Sequence, residues 1–216
     1  GKPLVIEFQN SAMATAHELN LDNVYLTTAE TGAPLPPKTE GDNGLTMVGV
    51  NLTLKVPEVF PDIPAALDYM KDKFIKAGRI VTIKVSDCTN QSFTQPIVVN
   101  HPNGDGIHIV GKSDNPDDCQ LNFPVSSGFV VSSNTALGLI DGFQINGNEA
   151  AGSSGVYASH GGHITLGENL WVSNFVYGVR ANMNASIVAD SVSSFGNAGD
   201  GFHAAFNGVI HAKNAN

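Results

Sequence analysis

The sequence predicts an all-β protein, a right-handed parallel β-helix with an N-terminal capping α-helix and a small β-rich N-terminal appendage. Three observations lead to this fold class. The C-terminal part repeats every 23 residues, the chain holds 23 glycines while only 14 % of its residues are charged, and one amphipathic segment precedes the first predicted coil. Gly-rich, weakly charged chains with many turns are typical of stacked β architecture.

The repeat is visible in two independent columns of residues. They are Gly155, Gly178 and Gly201, and Ile164, Ile187 and Ile210. A period between 20 and 50 residues indicates a solenoid or a propeller. A propeller blade needs roughly 40–50 residues, and a leucine-rich repeat needs a recurring Leu ladder that this sequence lacks. One repeat therefore corresponds to one coil of a β-helix.

An insertion interrupts the regular spacing before the repeat. Phe129 and Val131 match Val156 and Ala158, but the spacing is 27 residues rather than 23. The four extra residues predict a surface loop around residues 147–153.

The earlier coils are less regular. Residues 81–85 alternate apolar and polar types and residues 97–99 are a short apolar run, and both segments are expected to be strands of the first coil. Ile107 and Ile109 lie 22 residues before Phe129 and Val131, which predicts that the two pairs belong to the same column.

A helix is predicted over residues 62–77. Asp62 can cap it, Pro64 falls in its first turn, and Gly78 follows its end. Its apolar stripe consists of Ile63, Leu67, Met70 and Phe74. Because the open end of a β-helix exposes core residues and strand edges, we expect this helix to cover that end.

The chain divides into two predicted parts. Residues 1–60 hold short strand candidates, such as 46–55, and form a β-rich appendage or connector. Residues 61–216 form the β-helix. The last unit stops partway through a coil, so we expect the natural protein to continue beyond Asn216.

Composition argues against several classes of partner. The formal net charge is −9 and there is no cluster of Lys or Arg, so nucleic-acid binding is disfavoured. No stretch of about 18 apolar residues occurs, which predicts no membrane insertion. No nucleotide motif and no metal-ligand set is recognised, so neither a cofactor nor a metal is expected. Cys88 and Cys119 are expected to be unpaired thiols, with a single disulfide as the alternative.

Four segments resemble bacteriophage tailspike and tail-fibre proteins of the pectate-lyase-like β-helix superfamily. They are Ile63–Leu67 at the helix start, Ala77–Ile83 at the junction with the first strand, Ile109–Gly111 and Leu139–Ile145. The resemblance covers about residues 60–216.

The resemblance implies a homotrimer that forms a rigid β-helical stalk on the virion tail and binds bacterial surface polysaccharide during host adsorption. It also implies that residues 1–60 contact other virion tail proteins. Many such proteins cleave the polysaccharide, but a fold does not transfer an activity. The alternative is a secreted or virion-bound polysaccharide-degrading enzyme, a glycoside hydrolase or lyase, and a third possibility is a passive surface adhesin. Whether the chain is an enzyme is left open.

The best binding candidates form an outward column of Tyr157, Arg180 and His203. Stacked strands would place these side chains about 4.8 Å apart. A ring, a guanidinium and an imidazole in one row can stack on a sugar and bind its hydroxyl or carboxylate groups. Trp171 is expected to add a stacking platform nearby. The alternatives are a subunit contact in the trimer and an ordinary exposed face.

The best catalytic candidates are Glu168 and Asp190. Glycosidases place two carboxylates about 5–9.5 Å apart, and these two lie 22 residues apart, one coil with a slip of one residue. Asp141 and Asp200 precede glycines and are expected to be turn residues, while Glu149 falls in the insertion. No Asp cluster accompanies the Arg180 column, which argues against calcium-dependent lyase chemistry.

Overall fold

The computed structural model describes residues 46–88, 91–112 and 115–216. They form a parallel β-solenoid of about six turns, so the predicted all-β, parallel-coil class is confirmed. The handedness of the coil stays a prediction. Most of the predicted appendage, residues 1–45, lies outside the described residues.

The coils over residues 81–205 each contribute one strand to each of three parallel sheets, and the first of these sheets has a further strand at each of its two ends. Sheet I contains β2 (Leu52–Val56), β4 (Val81–Val85), β7 (Ile107–Val110), β10 (Ala136–Asp141), β13 (His163–Leu166), β16 (Ser186–Val188) and β19 (Val209–His211). Sheet II contains β5 (Gln91–Ser92), β8 (Gln120–Asn122), β11 (Phe143–Asn146), β14 (Leu170–Ser173) and β17 (Ser193–Phe195). Sheet III contains β6 (Ile97–Val99), β9 (Phe129–Val131), β12 (Ser154–Ala158), β15 (Tyr177–Asn182) and β18 (Phe202–Ala205). Two further strands, β1 (Thr46–Val48) and β3 (Lys73–Ile75), pair with each other.

The predicted columns of the repeat are confirmed. Val156 pairs with Val179, which pairs with Phe202. Phe129 pairs with Val156 across the longer spacing. The insertion at 147–153 lies between β11 and β12, as predicted.

The predicted match of Ile107 with Phe129 is wrong. Ile107 lies in sheet I, where it pairs with Val81, whereas Phe129 lies in sheet III and pairs with Ile97. Strands of every sheet turn alternate residues into the core, such as Ile107 and Ile109 of β7 and Phe129 and Val131 of β9, so two apolar residues at this spacing do not identify the sheet to which a strand belongs.

The core runs between the three sheets and is filled from their inward positions. Phe123, Phe129, Phe143 and Phe175 are fully buried in it. Burying each of these rings contributes about 1.5–3 kcal/mol relative to exposure. Ala158 and Ala181 fill inward positions in the regular coils.

The helix α1 (Ile63–Met70) is shorter than predicted. Asp62 is the N-cap, and its Oδ1 accepts a hydrogen bond of 2.8 Å from Ala65 N. The prediction that the helix continues to residue 77 is wrong, because the chain pairs with β1 as β3 soon after Met70. Phe74, expected on the apolar stripe, lies on β3 and is 42 % exposed.

Helix α1 packs against the first coil. Its buried residues Ile63, Ala66 and Met70 belong to the solenoid core, and the helix contacts β2, β4 and β6. Among the described residues β2 is the outermost strand of sheet I, so this sheet includes residues that lie before the predicted domain boundary at residue 61.

A buried histidine, His101, forms hydrogen bonds at the C-terminal end of α1. His101 Nδ1 accepts from Asn103 N at 3.0 Å, so Nε2 carries the proton. Nε2 then donates to the carbonyl oxygens of Met70 at 3.1 Å and Lys73 at 3.0 Å. His101 thereby links Met70, the last residue of the helix, to Lys73, the first residue of β3.

Cys88 and Cys119 form a disulfide bond, so the expectation of two unpaired thiols is wrong. The two residues are 31 positions apart, yet their Cα atoms lie 4.5 Å apart. Cys88 follows β4 and Cys119 precedes β8. The bond therefore joins two successive coils whose irregular lengths conceal this proximity in the sequence.

Candidate functional site

The column of Tyr157, Arg180 and His203 exists on sheet III. Tyr157 on β12 pairs with Arg180 on β15, and Arg180 pairs with His203 on β18. All three side chains are partly exposed, while Val179 and Ala181 on either side of Arg180 are buried. The alternation of β15 therefore turns Arg180 outward.

A second tyrosine joins this column. The guanidinium carbon of Arg180 lies 4.6 Å from the ring centroid of Tyr177 and 5.4 Å from that of Tyr157. Both distances fall within the range of a cation–π interaction. Sequence analysis missed Tyr177, which opens β15 three residues before Arg180 and has no aromatic counterpart in the neighbouring repeats.

Asn182 holds the guanidinium of Arg180 by hydrogen bonds. With the amide turned so that its oxygen faces Arg180, Asn182 Oδ1 accepts from Nε at 3.1 Å and from Nη2 at 3.0 Å. In that orientation the amide nitrogen donates to the carbonyl oxygen of Ala181 at 2.9 Å. Asn182 is only 2 % exposed, so the arginine is held by a buried amide. Sequence analysis also missed this residue.

His203 completes the group. Its ring centroid lies 4.5 Å from that of Tyr177, with the planes inclined by 42°. Asp200 Oδ2 lies 2.7 Å from His203 Nδ1, which orients the ring. Asp200, expected to be a turn residue, thus also positions a site residue. We refer to Tyr157, Tyr177, Arg180, Asn182, Asp200 and His203 as the Arg180 cluster.

The structure does not bring Trp171 to this cluster. Trp171 lies on β14 of sheet II, in register with Gln144 and Ser193. Its ring meets that of Phe195 edge-on, with centroids 6.3 Å apart. Trp171 and Arg180 belong to the same coil, but the chain bends between their strands.

Glu168 and Asp190 lie on adjacent coils at the bend between sheets I and II, and both are exposed. Asp190 Oδ1 accepts a 2.9 Å hydrogen bond from Lys213 N of the next coil. Asp141 bonds the next coil in the same way, accepting from Asn169 N at 3.0 Å. Asp190 thus links its bend to the bend of the next coil. Its catalytic role with Glu168 stays a prediction.

A cleft of about 240 Å³ lies between α1 and β6 and is lined by Leu67, Lys71, Val98 and His101 among others. It lies three strands along sheet III from β15. In the described part of the chain, no group of three or more His, Cys, Asp and Glu residues is arranged to hold a metal ion. Within the same residues, none of the helices has the length and hydrophobicity of a membrane-spanning segment.

No family model, curated protein or solved structure matches this chain.

Proposed function

We propose that this chain is a β-solenoid segment of a bacteriophage tailspike or tail fibre that binds bacterial surface polysaccharide during host adsorption. The observation that supports the binding role is the Arg180 cluster, which presents two phenol rings, a guanidinium and an imidazole on one rigid face. The virion context rests on the sequence resemblance and on the solenoid fold.

The chemistry of the cluster suits a saccharide. Aromatic rings pack against the apolar C–H faces of sugars, while guanidinium, phenol and imidazole groups bond to hydroxyl and carboxylate oxygens. The side chains project from paired strands and not from a loop. A site built on strands loses little conformational freedom when a ligand binds.

Further features fit a rigid structure exposed to the outside medium. Cys88 and Cys119 form a disulfide, and disulfides form and persist in oxidising environments such as the extracellular medium. A slender coil with small inward residues such as Ala181 buries little surface for its length, so intersubunit contacts would stabilise it. We therefore include the homotrimer in the proposal, with α1 capping the N-terminal end and residues 1–60 contacting other tail proteins.

A depolymerase is the second candidate. The bend that holds Glu168 and Asp190 repeats from one coil to the next, because Thr165 pairs with Val188 and Trp171 with Ser193. Glu168 lies three residues after Thr165 and Asp190 two residues after Val188, so the two exposed carboxylates lie on adjacent coils with an offset of one residue. Such a pair could protonate and attack a glycosidic bond if the spacing suits a glycosidase.

The proposal is tested by equilibrium binding to a panel of bacterial capsular and O-antigen polysaccharides. We expect the wild-type protein to bind at least one of them, and Tyr177→Ala to bind it at least tenfold more weakly. The matched control is Trp171→Ala, which removes an aromatic ring from sheet II and should leave the affinity unchanged. No binding to any polysaccharide, or a loss caused by Trp171→Ala alone, would contradict the proposal.

The same incubations separate the two candidates. Release of reducing or unsaturated ends that disappears in Glu168→Gln and Asp190→Asn would establish a depolymerase. Sedimentation equilibrium of the whole chain at micromolar concentration tests the trimer, and a monomer there would remove the stalk from the proposal.

A further inference from the structure

We infer that Arg180 binds a carboxylate group of the ligand, so that the polysaccharide recognised by this face is an acidic one built with uronic or sialic acid units. This inference rests on the proposed binding of polysaccharide at the Arg180 cluster. It adds the chemical class of the sugar, which the proposed function leaves open.

The first support is the lack of an anionic partner. Across the residues that the structure describes, Lys55, Lys71 and Lys73 pair with carboxylates, and the other lysines and Arg79 without an ion pair are exposed. Arg180 is the one half-buried cation there that makes no ion pair. Among the described residues no carboxylate forms an ion pair with Arg180, and Asp200, the acid of the same cluster, pairs with His203 instead.

The second support is the set of hydrogens that remain on the guanidinium. Arginine has five N–H donors. Asn182 accepts from Nε and from Nη2, which leaves one Nη2 hydrogen and two Nη1 hydrogens, and the remaining Nη2 hydrogen lies parallel to one Nη1 hydrogen on the outer edge. Two parallel donors on one edge match the two oxygens of a carboxylate. The rings of Tyr157 and Tyr177 contact the guanidinium and limit its motion.

The third support is the charge on either side of Arg180 in the column. Tyr157 is neutral, and His203 is bonded to the carboxylate of Asp200. A ligand carboxylate would therefore be repelled near Asp200 and attracted at Arg180. A hydrogen bond between charged partners is roughly twice as strong as one between neutral partners, so a carboxylate is favoured at Arg180 over a sugar hydroxyl.

The test uses four carboxylated polymers: polygalacturonate, alginate, hyaluronan and polysialic acid. Each is compared with its own methyl ester, which keeps the backbone and removes the charge, and dextran sulfate serves as a polyanion without carboxylates. We expect the wild-type protein to bind at least one acid form and to bind the matching ester at least tenfold more weakly. No binding to any acid form, equal binding to acid and ester, or equal binding to dextran sulfate would overturn the inference.

Two substitutions locate the effect. Arg180→Gln should abolish the preference for the acid form, and Arg180→Lys should restore only part of it because an ammonium group lacks the paired donors. The matched control is Arg79→Gln, which changes the other arginine of the chain and should leave binding unaltered. Circular dichroism and thermal unfolding confirm that each variant is folded.

The outcome also separates this inference from the proposed function. If neutral or esterified polymers bind, Tyr177→Ala weakens them and Arg180→Gln does not, then the polysaccharide site stands and its acidic specificity is wrong. If Arg180→Gln lowers the sedimentation mass and leaves binding unchanged, Arg180 pairs with a neighbouring subunit instead. If no polysaccharide binds at all, both proposals fail.

Discussion

The C-terminal coils and the first coils of the solenoid are stabilised by different contacts. From β12 onward, Val156, Val179 and Phe202 pair at intervals of 23 residues. In the first coils the interval is 26 between Ile83 and Ile109 and 32 between Ile97 and Phe129. Helix α1, the disulfide, His101 and two 3-10 helices of the described residues (Gly104–Gly106 and Pro116–Asp118) all lie before Phe129. Regular coils stack on one another directly, whereas irregular ones need additional links.

The bend between sheets III and I shows how the regular coils keep their register. Each bend contains two successive residues with left-handed backbone angles: Ser133 and Asn134, His160 and Gly161, Met183 and Asn184, and Phe206 and Asn207. Backbone hydrogen bonds join each bend to the next, as from Gly161 N to the carbonyl oxygen of Met183 at 3.0 Å. Identical bends align the strands that precede them, and this alignment places Tyr157, Arg180 and His203 in one row.

The largest effect is expected from a cavity in the regular coils. Ile187 is fully buried and pairs with Ile164 and Ile210. Ile187→Ala should lower the free energy of unfolding by about 2–5 kcal/mol, since it removes buried methyl groups from a tightly packed column. Urea denaturation measures this change. Val188→Ala, on the outward side of the same strand, is the control and should cost less than about 1 kcal/mol; equal losses would mean that the column does not hold the coils together.

Removal of the disulfide should weaken the first coils selectively. The double substitution Cys88→Ala and Cys119→Ala is expected to cost about 2–4 kcal/mol. Hydrogen exchange should then accelerate in β4, β5 and β8 and remain slow in β12 and β15. Uniform acceleration along the chain would show that the two regions unfold as one unit, and two free thiols in the wild-type protein by mass spectrometry would contradict the bond itself.

A smaller loss is expected from His101→Ala. The substitution leaves the carbonyl groups of Met70 and Lys73 and the amide of Asn103 without their partner, which costs about 1–3 kcal/mol. The matched control is His211→Ala, which changes an exposed histidine on β19 and should alter stability by less than about 0.5 kcal/mol. Thermal unfolding of both variants measures the difference. Equal stabilities would show that the hydrogen bonds of His101 do not stabilise the first coil.

The smallest effect concerns pH and His108. Burial disfavours the charged imidazolium and lowers the pKa of His108. The unfolded chain, whose histidine pKa is about 6.5, therefore binds more protons than the folded chain between the lowered pKa and about pH 6.5. Stability should rise with pH through that window and fall as the pH drops below about 6.5. His108→Gln should reduce this slope in melting temperatures measured from pH 5 to 7.5, and an unchanged slope would assign it to other groups.

The sequence predicted those parts of the molecule in which the same residue type recurs at one spacing. Val156 and Val179 could be aligned because their environments are identical. Tyr177 and Asn182 could not, since each contacts Arg180 through a position that differs from coil to coil. Trp171 lies farther from Arg180 than the sequence suggests, because spacing along one coil does not show where the chain bends between sheets.

The predicted length of α1 and the predicted free thiols are wrong for a different reason. Phe74 fits the apolar stripe of a helix, but pairing between β1 and β3 overrides this local pattern. Cys88 and Cys119 become neighbours only when coils of irregular length are stacked. In both cases contacts between distant segments decide the structure.

Hydroxyl-radical footprinting in the presence of a bound polysaccharide tests the central claim most directly, because aromatic and imidazole side chains are readily oxidised. If the regular coils bind the ligand through sheet III, Tyr157, Tyr177 and His203 should be protected from oxidation. Trp171 and Phe195 on sheet II, and Tyr69 on α1, should be oxidised as in the free protein. Protection of Trp171 with unprotected rings on sheet III would contradict the claim.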